Sequence, residues 1–281
     1  MTRSSVTPRI LAMTAVLLAT LHGGPAAAVT INASFAPIRV TARPGDVVTT
    51  SYQLKLQEGE PTARFKVEVQ DWWRSEDGQQ SFYASAGALT RSCGKWVSAT
   101  PREAPVSGGQ VLQVRLSISV PSAVKPGGYW CALTLDETPD PEAVTPEGVG
   151  VQFLASVSTG IYVSVNPIER GVDVLTIDVA DERAVTRVVN TGNTPVNVEG
   201  HFDFFRPGDK EPFASVDLPR NILLTEPIVT GVYSVALPDA AQLPAGRYLV
   251  RLVLDIGLNH YIGVQREMQI DRGPRVAARK D

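Results

Sequence analysis

The 281-residue sequence predicts an all-β protein made of two β-sandwich domains in tandem. Three observations lead there. Val, Ile, Thr and aromatic residues recur at period two, and turn residues separate the runs at intervals of about 8–12 positions. No window offers an amphipathic helix of three turns. One strand–turn–strand pattern occurs twice, about one sandwich domain apart.

The first 28 residues read as an export signal. Arg3 and Arg9 give a basic start, Ile10 to Leu21 form a 12-residue apolar run, and Gly23-Gly24-Pro25 breaks it. Ala26-Ala27-Ala28 supplies the small residues a signal peptidase reads, which predicts cleavage after Ala28. The run is too short for a hydrocarbon core, which needs about 20 residues, and no later stretch is long enough for a membrane helix. Removing 28 of the 281 residues leaves 253, room for about two ordinary domains. Arg3 and Arg9 are lost from the 26 basic residues, so 24 face 29 acidic ones and the net charge is −5. Scattered charges of that balance argue against nucleic acid as a partner. In an exported chain the two cysteines, Cys93 and Cys131, predict one disulfide and no metal site.

Strand signals follow in order at Asp46–Leu56, Thr62–Trp73, Gln110–Val120 and Pro195–Phe205. Arg43-Pro44-Gly45-Asp46, Glu76-Asp77-Gly78 and Pro207-Gly208-Asp209 supply turns. The repeat pairs Ser117–Pro121, Pro126-Gly127-Gly128-Tyr129, Leu133, Leu135 and Asp136 with Ser234–Pro238, Pro244-Ala245-Gly246-Arg247-Tyr248, Leu252, Leu254 and Asp255. Each copy reads as one strand, a turn and a second strand opened by Tyr. Sandwiches use that Tyr for a tyrosine corner, whose hydroxyl bonds back to the preceding loop. The register predicts immunoglobulin-like domains at 29–166 and 170–271, a short linker Asn166-Pro167-Ile168-Glu169 acting as a fixed elbow, and a solvated basic tail at 272–281.

Tyr129-Trp130-Cys131 looks like the Tyr-x-Cys of an immunoglobulin strand. Its partner Cys93, however, lies only 38 residues earlier, in the strand before the first of the two repeat strands, and not in the second strand of the domain where antibody domains place it. Alternation turns Tyr129, Cys131, Leu133 and Leu135 inward and Trp130 outward. It likewise turns Phe65, Val67, Val69 and Trp73 inward and Trp72 outward. Trp72 and Trp130 are therefore expected to form an exposed aromatic patch offered to a partner. The sequence from Val149 to Val165 alternates for 17 residues, against about 5–6 in a typical strand. Its early half, Val149, Val151, Phe153, Ala155 and Val157, is read as an interaction edge for β-strand addition. The rival reading makes the same residues core. Asp136 to Glu147 is acidic and Pro-rich but lacks the spacing of a calcium loop. Cofactor, phosphate-loop, zinc and nucleophile-elbow motifs are missing. A Ser-His-Asp site would have to use His201 or His260, both read as structural. The chain is expected to be non-enzymatic, with no cofactor.

Val67-Glu68-Val69-Gln70-Asp71-Trp72, then Asp77-Gly78, Pro101, and Gly109 before Val114-Arg115, resemble the first domain of periplasmic pilus-assembly chaperones. Val189-Asn190-Thr191-Gly192-Asn193 resembles a turn of bacterial immunoglobulin-like modules. The resemblance implies that the long strand is the edge lent to immature pilus subunits. It also implies that Arg39 is the counterpart of the cleft arginine that anchors a subunit's carboxylate. Two features depart from the family. Its cleft lysine has no counterpart in Ile161–Val165, and the Cys93–Cys131 pair is not part of its usual pattern. Two functions follow as expectations: a periplasmic chaperone-like protein binding exported pilin-like or envelope subunits, or a structural or adhesive cell-envelope protein.

Overall fold

The structure, a computed structural model, describes residues 30–33, 36–83, 85–139, 153–180, 182–239 and 242–271. The export signal, the basic tail, Val149, Val151 and most of the acidic loop before them lie outside those residues.

Among the described residues domain one has ten strands: β1 (Ile31–Ala33), β2 (Ile38–Ala42), β3 (Val47–Leu56), β4 (Ala63–Arg74), β5 (Gln80–Tyr83), β6 (Val97–Thr100), β7 (Glu103–Val106), β8 (Val111–Ser119), β9 (Gly127–Glu137) and β10 (Ser156–Val165). One sheet has the order β1-β3-β8-β6. The other has the order β2-β10-β9-β4-β5, with β7 also on β4. Between Ala33 and Ile38 the chain crosses from the first sheet to the second, so β1 pairs with β3 while β2 lies parallel to β10. The turn into β3 is local chemistry. Asp46 N–H donates to the Arg43 carbonyl, its carboxylate accepts from Arg43 N–H, and Gly45 takes φ +87°. That left-handed conformation suits a residue without Cβ.

Period two becomes burial in the expected way. Tyr52, Leu54 and Leu56 of β3, Leu112, Val114, Leu116 and Ile118 of β8, and Tyr129, Cys131, Leu133 and Leu135 of β9 fill one core. Cys93 and Cys131 form a disulfide with their Cα atoms 5.5 Å apart, inside the range such a bond requires. It ties the loop before β6 in one sheet to β9 in the other.

Domain two comprises β11 (Val172–Ala180), β12 (Arg183–Asn190), β13 (Val196–Phe205), β14 (Ala214–Asp217), β15 (Asn221–Leu223), β16 (Thr230–Ala236), β17 (Gly246–Asp255) and β18 (Ile262–Ile270). Its sheets run β11-β12-β16 and β14-β13-β17-β18, with β15 also on β13. Val198, Phe202 and Phe204 of β13 meet Val250, Leu252 and Leu254 of β17 in a separate core. Both repeat copies close the same way. Tyr129 donates its hydroxyl to the Lys125 carbonyl at 2.9 Å, and Tyr248 donates to the Pro244 carbonyl at 3.0 Å. These are two tyrosine corners.

Candidate functional site

β10 begins as an edge and ends inside its sheet. From Ser156 to Val165 it pairs antiparallel with β9, but β2 joins its other side only at Ile161, opposite Ile38. For Ser156 to Gly160 no strand lies on that second side among the described residues. The Thr159 hydroxyl reaches the Ala36 carbonyl at 3.2 Å, so the segment leading into β2 closes the open stretch at its upper end. Alternation continues through the edge. Ile161, Val163 and Val165 are fully buried, and Val157 packs on the rim of the core. Ala155 is half-buried, while Phe153 and Leu154 are 59% and 43% exposed. The described part of the early half is therefore neither plain core nor wholly free. Val157 leans on the sandwich, and Phe153 leaves it. The described strand starts at Ser156, so the 17-residue alternation is not one strand within the described residues.

The expectation of an exposed tryptophan patch is overturned. Trp72 and Trp130 do point out of the first sandwich, and they do meet. Trp130 Nε1–H donates to the Trp72 carbonyl at 2.8 Å, and Trp72 Nε1–H donates to the Cys131 carbonyl at 3.2 Å. Yet their exposures are 3% and 1%. Leu224 and Ile222 of domain two complete this cluster, so the partner of the patch is the protein's own second domain. Trp73 is a second correction. It packs against the same junction cluster and not into the domain-one core, and Asp71 before it turns its buried carboxylate to the loop after β5. That carboxylate accepts from Gly87, Ala88 and Leu89 N–H at 2.9, 2.6 and 2.9 Å, and from the Ser92 hydroxyl.

Polar bonds surround the apolar junction. Val232 N–H donates to the Glu76 carbonyl at 2.6 Å, and the Glu76 carboxylate accepts from Arg187 and Thr230. Gly128 N–H donates to the Asn193 carbonyl at 2.8 Å. Asn193 in turn grips the linker through Glu169 N–H and the Pro167 carbonyl.

Arg39, on β2, lines a cleft of about 370 Å³ between the domains together with Arg170, Arg220, Glu199 and Asp255. Arg220 pairs with Glu199 at 2.9 Å, and Asp255 accepts from Gly257 N–H. Among the described residues neither Arg39 nor Arg170 has a carboxylate within 4.0 Å. The guanidinium of Arg39 lies over the Tyr162 ring, 4.9 Å from its centroid. The cleft is thus net basic, with two arginines still able to take an anion. Arg170, Arg220 and Tyr162 were not singled out from the sequence. Arg170 sits beside the predicted linker, which was the one signal that could have flagged it.

His201 has its Nε2 3.5 Å from the Asp203 carboxylate, and the Ser215 hydroxyl donates to Asp203 and not to His201. That order puts the carboxylate, and not the imidazole, against the serine, unlike a nucleophilic triad. Asp203 also accepts from Arg251. His260 is an exposed turn residue beside Asn259. No helix among the described residues is long and apolar enough to cross a membrane.

No protein-family model matches the chain, and no curated protein does. Several solved structures are similar in chain path. One is described as a chaperone–tip adhesin complex vital for activation of CFA/I fimbriae biogenesis: 11% identity, 86% of this chain and 98% of that one covered, TM-score 0.48. Another is the CsuC–CsuE chaperone–tip adhesion subunit pre-assembly complex from archaic Csu pili of Acinetobacter baumannii: 13% identity, 85% and 98% covered, TM-score 0.46. A third is the Pseudomonas aeruginosa CupB2 chaperone: 10% identity, 84% and 98% covered, TM-score 0.45.

Proposed function

We propose that this protein is a non-enzymatic, periplasmic chaperone-like protein that holds other exported polypeptides, pilin-like or envelope subunits, by β-strand addition to the early half of β10. The observation that carries the reading is the one-sided pairing of Ser156 to Gly160. A free edge is a template for another chain, and soluble proteins usually blunt such edges with charge, proline or a bulge. Ser156-Val157-Ser158-Thr159-Gly160 carries no charge and no proline, and exposed Phe153 and Leu154 lead into it. Backbone bonds along the edge would hold the partner, and the alternate side chains would enter its grooves.

The direction of the incoming strand follows from β2. A strand that continues the line of β2 beside β10 runs parallel to β10, so its C-terminal end arrives at the start of β2. Arg39 stands there, with Arg170 and Arg220 across the cleft, and a terminal carboxylate would be met by charge-assisted hydrogen bonds.

The test uses the double variant Phe153→Ser with Leu154→Ser and a labelled peptide of alternating Val and Thr. Both residues are exposed, so thermal unfolding should stay close to that of the parent. Peptide affinity should fall at least tenfold, since burying one large apolar side chain is worth about 1.5–3 kcal/mol. Unchanged affinity with unchanged unfolding would reject strand addition at this edge and return the structural envelope reading.

A further inference from the structure

We infer that Tyr162 is a positioning residue for Arg39, stacking the guanidinium and holding its N–H edge toward the cleft. The inference rests on the carboxylate-anchoring reading above. It adds the side chain that would make the anchor directional.

Tyr162 sits opposite Arg39 in the parallel β10–β2 pairing, so the two side chains leave the sheet on one face. The guanidinium carbon lies 4.9 Å from the ring centroid, inside the distance at which a cation is attracted to an aromatic face. The ring itself is braced from both sides. Trp72 meets it edge-on, with centroids 6.2 Å apart and planes at 85°, and Trp72 belongs to the buried junction cluster. On the other side the ring folds back over Gly160, where a Cβ would come within 2.8 Å of Tyr162 Cε2. Any side chain at position 160 would push the ring off, so Gly160 is part of the same arrangement. Burial pushes the Tyr162 hydroxyl up to about 12, although Arg39 and Arg74 pull it down. The ring therefore stays neutral at ordinary pH.

The consequence is entropic and geometric. A free arginine loses rotamer freedom when it clasps a carboxylate. One already stacked has given up much of that freedom and presents its planar fork in a fixed direction. Arg39 has no carboxylate within 4.0 Å among the described residues, so nothing else there fixes it.

The experiment compares wild type, Tyr162→Phe and Tyr162→Leu with two probes. One is the Val/Thr peptide with a free terminal carboxylate and the other is the same peptide ending in an amide. The ratio of the two affinities isolates the anchor from strand addition. Wild type and Tyr162→Phe should share one ratio, and Tyr162→Leu should lower it roughly three- to tenfold, the range expected for losing a partly desolvated cation–π contact. Affinity for the amide should stay the same, which a merely destabilising change would not allow. The Arg39 Nε–H proton resonance, read without peptide, should carry an upfield ring-current shift in wild type and Tyr162→Phe that is lost in Tyr162→Leu. A retained ratio, or no ring-current shift in wild type, overturns the inference. A clear shift with equal affinities for both peptides in wild type instead overturns the carboxylate anchor and leaves the stacking in place.

Discussion

Gly128 is glycine because another domain lies on it. In the two repeat copies its position corresponds to Arg247, so the strand as such tolerates a side chain there. At Gly128 a Cβ would lie 2.5 Å from Pro195 Cδ and overlap the Thr194 side chain. Gly128→Ala should therefore lower stability by about 1–3 kcal/mol through overpacking. Gly263→Ala, where a Cβ meets nothing within 4 Å, should move it by no more than about 0.5 kcal/mol. Urea unfolding of the two variants side by side checks the contrast, and equal effects would remove the junction explanation. Trp130 is the larger lever. Its ring is buried and its indole N–H is bonded to the Trp72 carbonyl. Trp130→Ala should cost about 3–5 kcal/mol, seen as a lower urea midpoint. A surface patch residue would instead leave the midpoint unmoved.

β9 owes its burial on both faces to two different neighbours. Tyr129, Cys131, Leu133 and Leu135 face the sandwich core, while Trp130 and Ala132 face the junction with domain two. A disulfide fixed to this central strand ties the two sheets together. With a sequence separation of 38, loop-closure entropy gives about 4 kcal/mol of stabilisation. Replacing both cysteines by serine should lower unfolding free energy by about that amount or more, since both positions are fully buried. A loss under about 1 kcal/mol in equilibrium urea unfolding would show that the bridge contributes little. β10 differs from β9 because its neighbours change along its length. Where β2 covers it, Ile161, Val163 and Val165 are core, and where β2 has not begun it is open.

Across the whole molecule, the β4–β5 turn is a hand laid on domain two. Its Glu76 carboxylate is held below the usual value for glutamate, first by the Thr230 hydroxyl and then by Arg187. A carboxyl lowered in the folded state stabilises that state above its unfolded value and loses the contribution as pH falls through the folded value. The stability difference between wild type and Glu76→Gln should therefore be constant above pH 4.5, the unperturbed value, and shrink below it. Thermal unfolding of both proteins across pH 3 to 7 tests the sign, since a difference that grew on acidification would contradict it. The turn was legible beforehand from Glu76-Asp77-Gly78, but its partner was not. Arg187 and Thr230 lie more than 100 residues away, and no local pattern links them to Glu76.

What the sequence determined by itself was everything set by local geometry. Period two gave the long strands and their inward faces except at Trp73, Gly45 and Asp46 gave a turn, the repeated Tyr gave two corners, and the cysteine pair gave its bridge. Tertiary structure alone decided what covers each outward face. Trp72 and Trp130 alternate outward, yet Leu224 and Ile222 lie over them, so an expected binding patch became a domain junction. Arg39 was visible as a residue, but the cleft that collects it with Arg170 and Arg220 exists only once the two domains meet. Alternation reports which side of a sheet a residue takes. Whether that side meets water, a partner or another domain is set by contacts between residues far apart in the chain, for which periodicity carries no record.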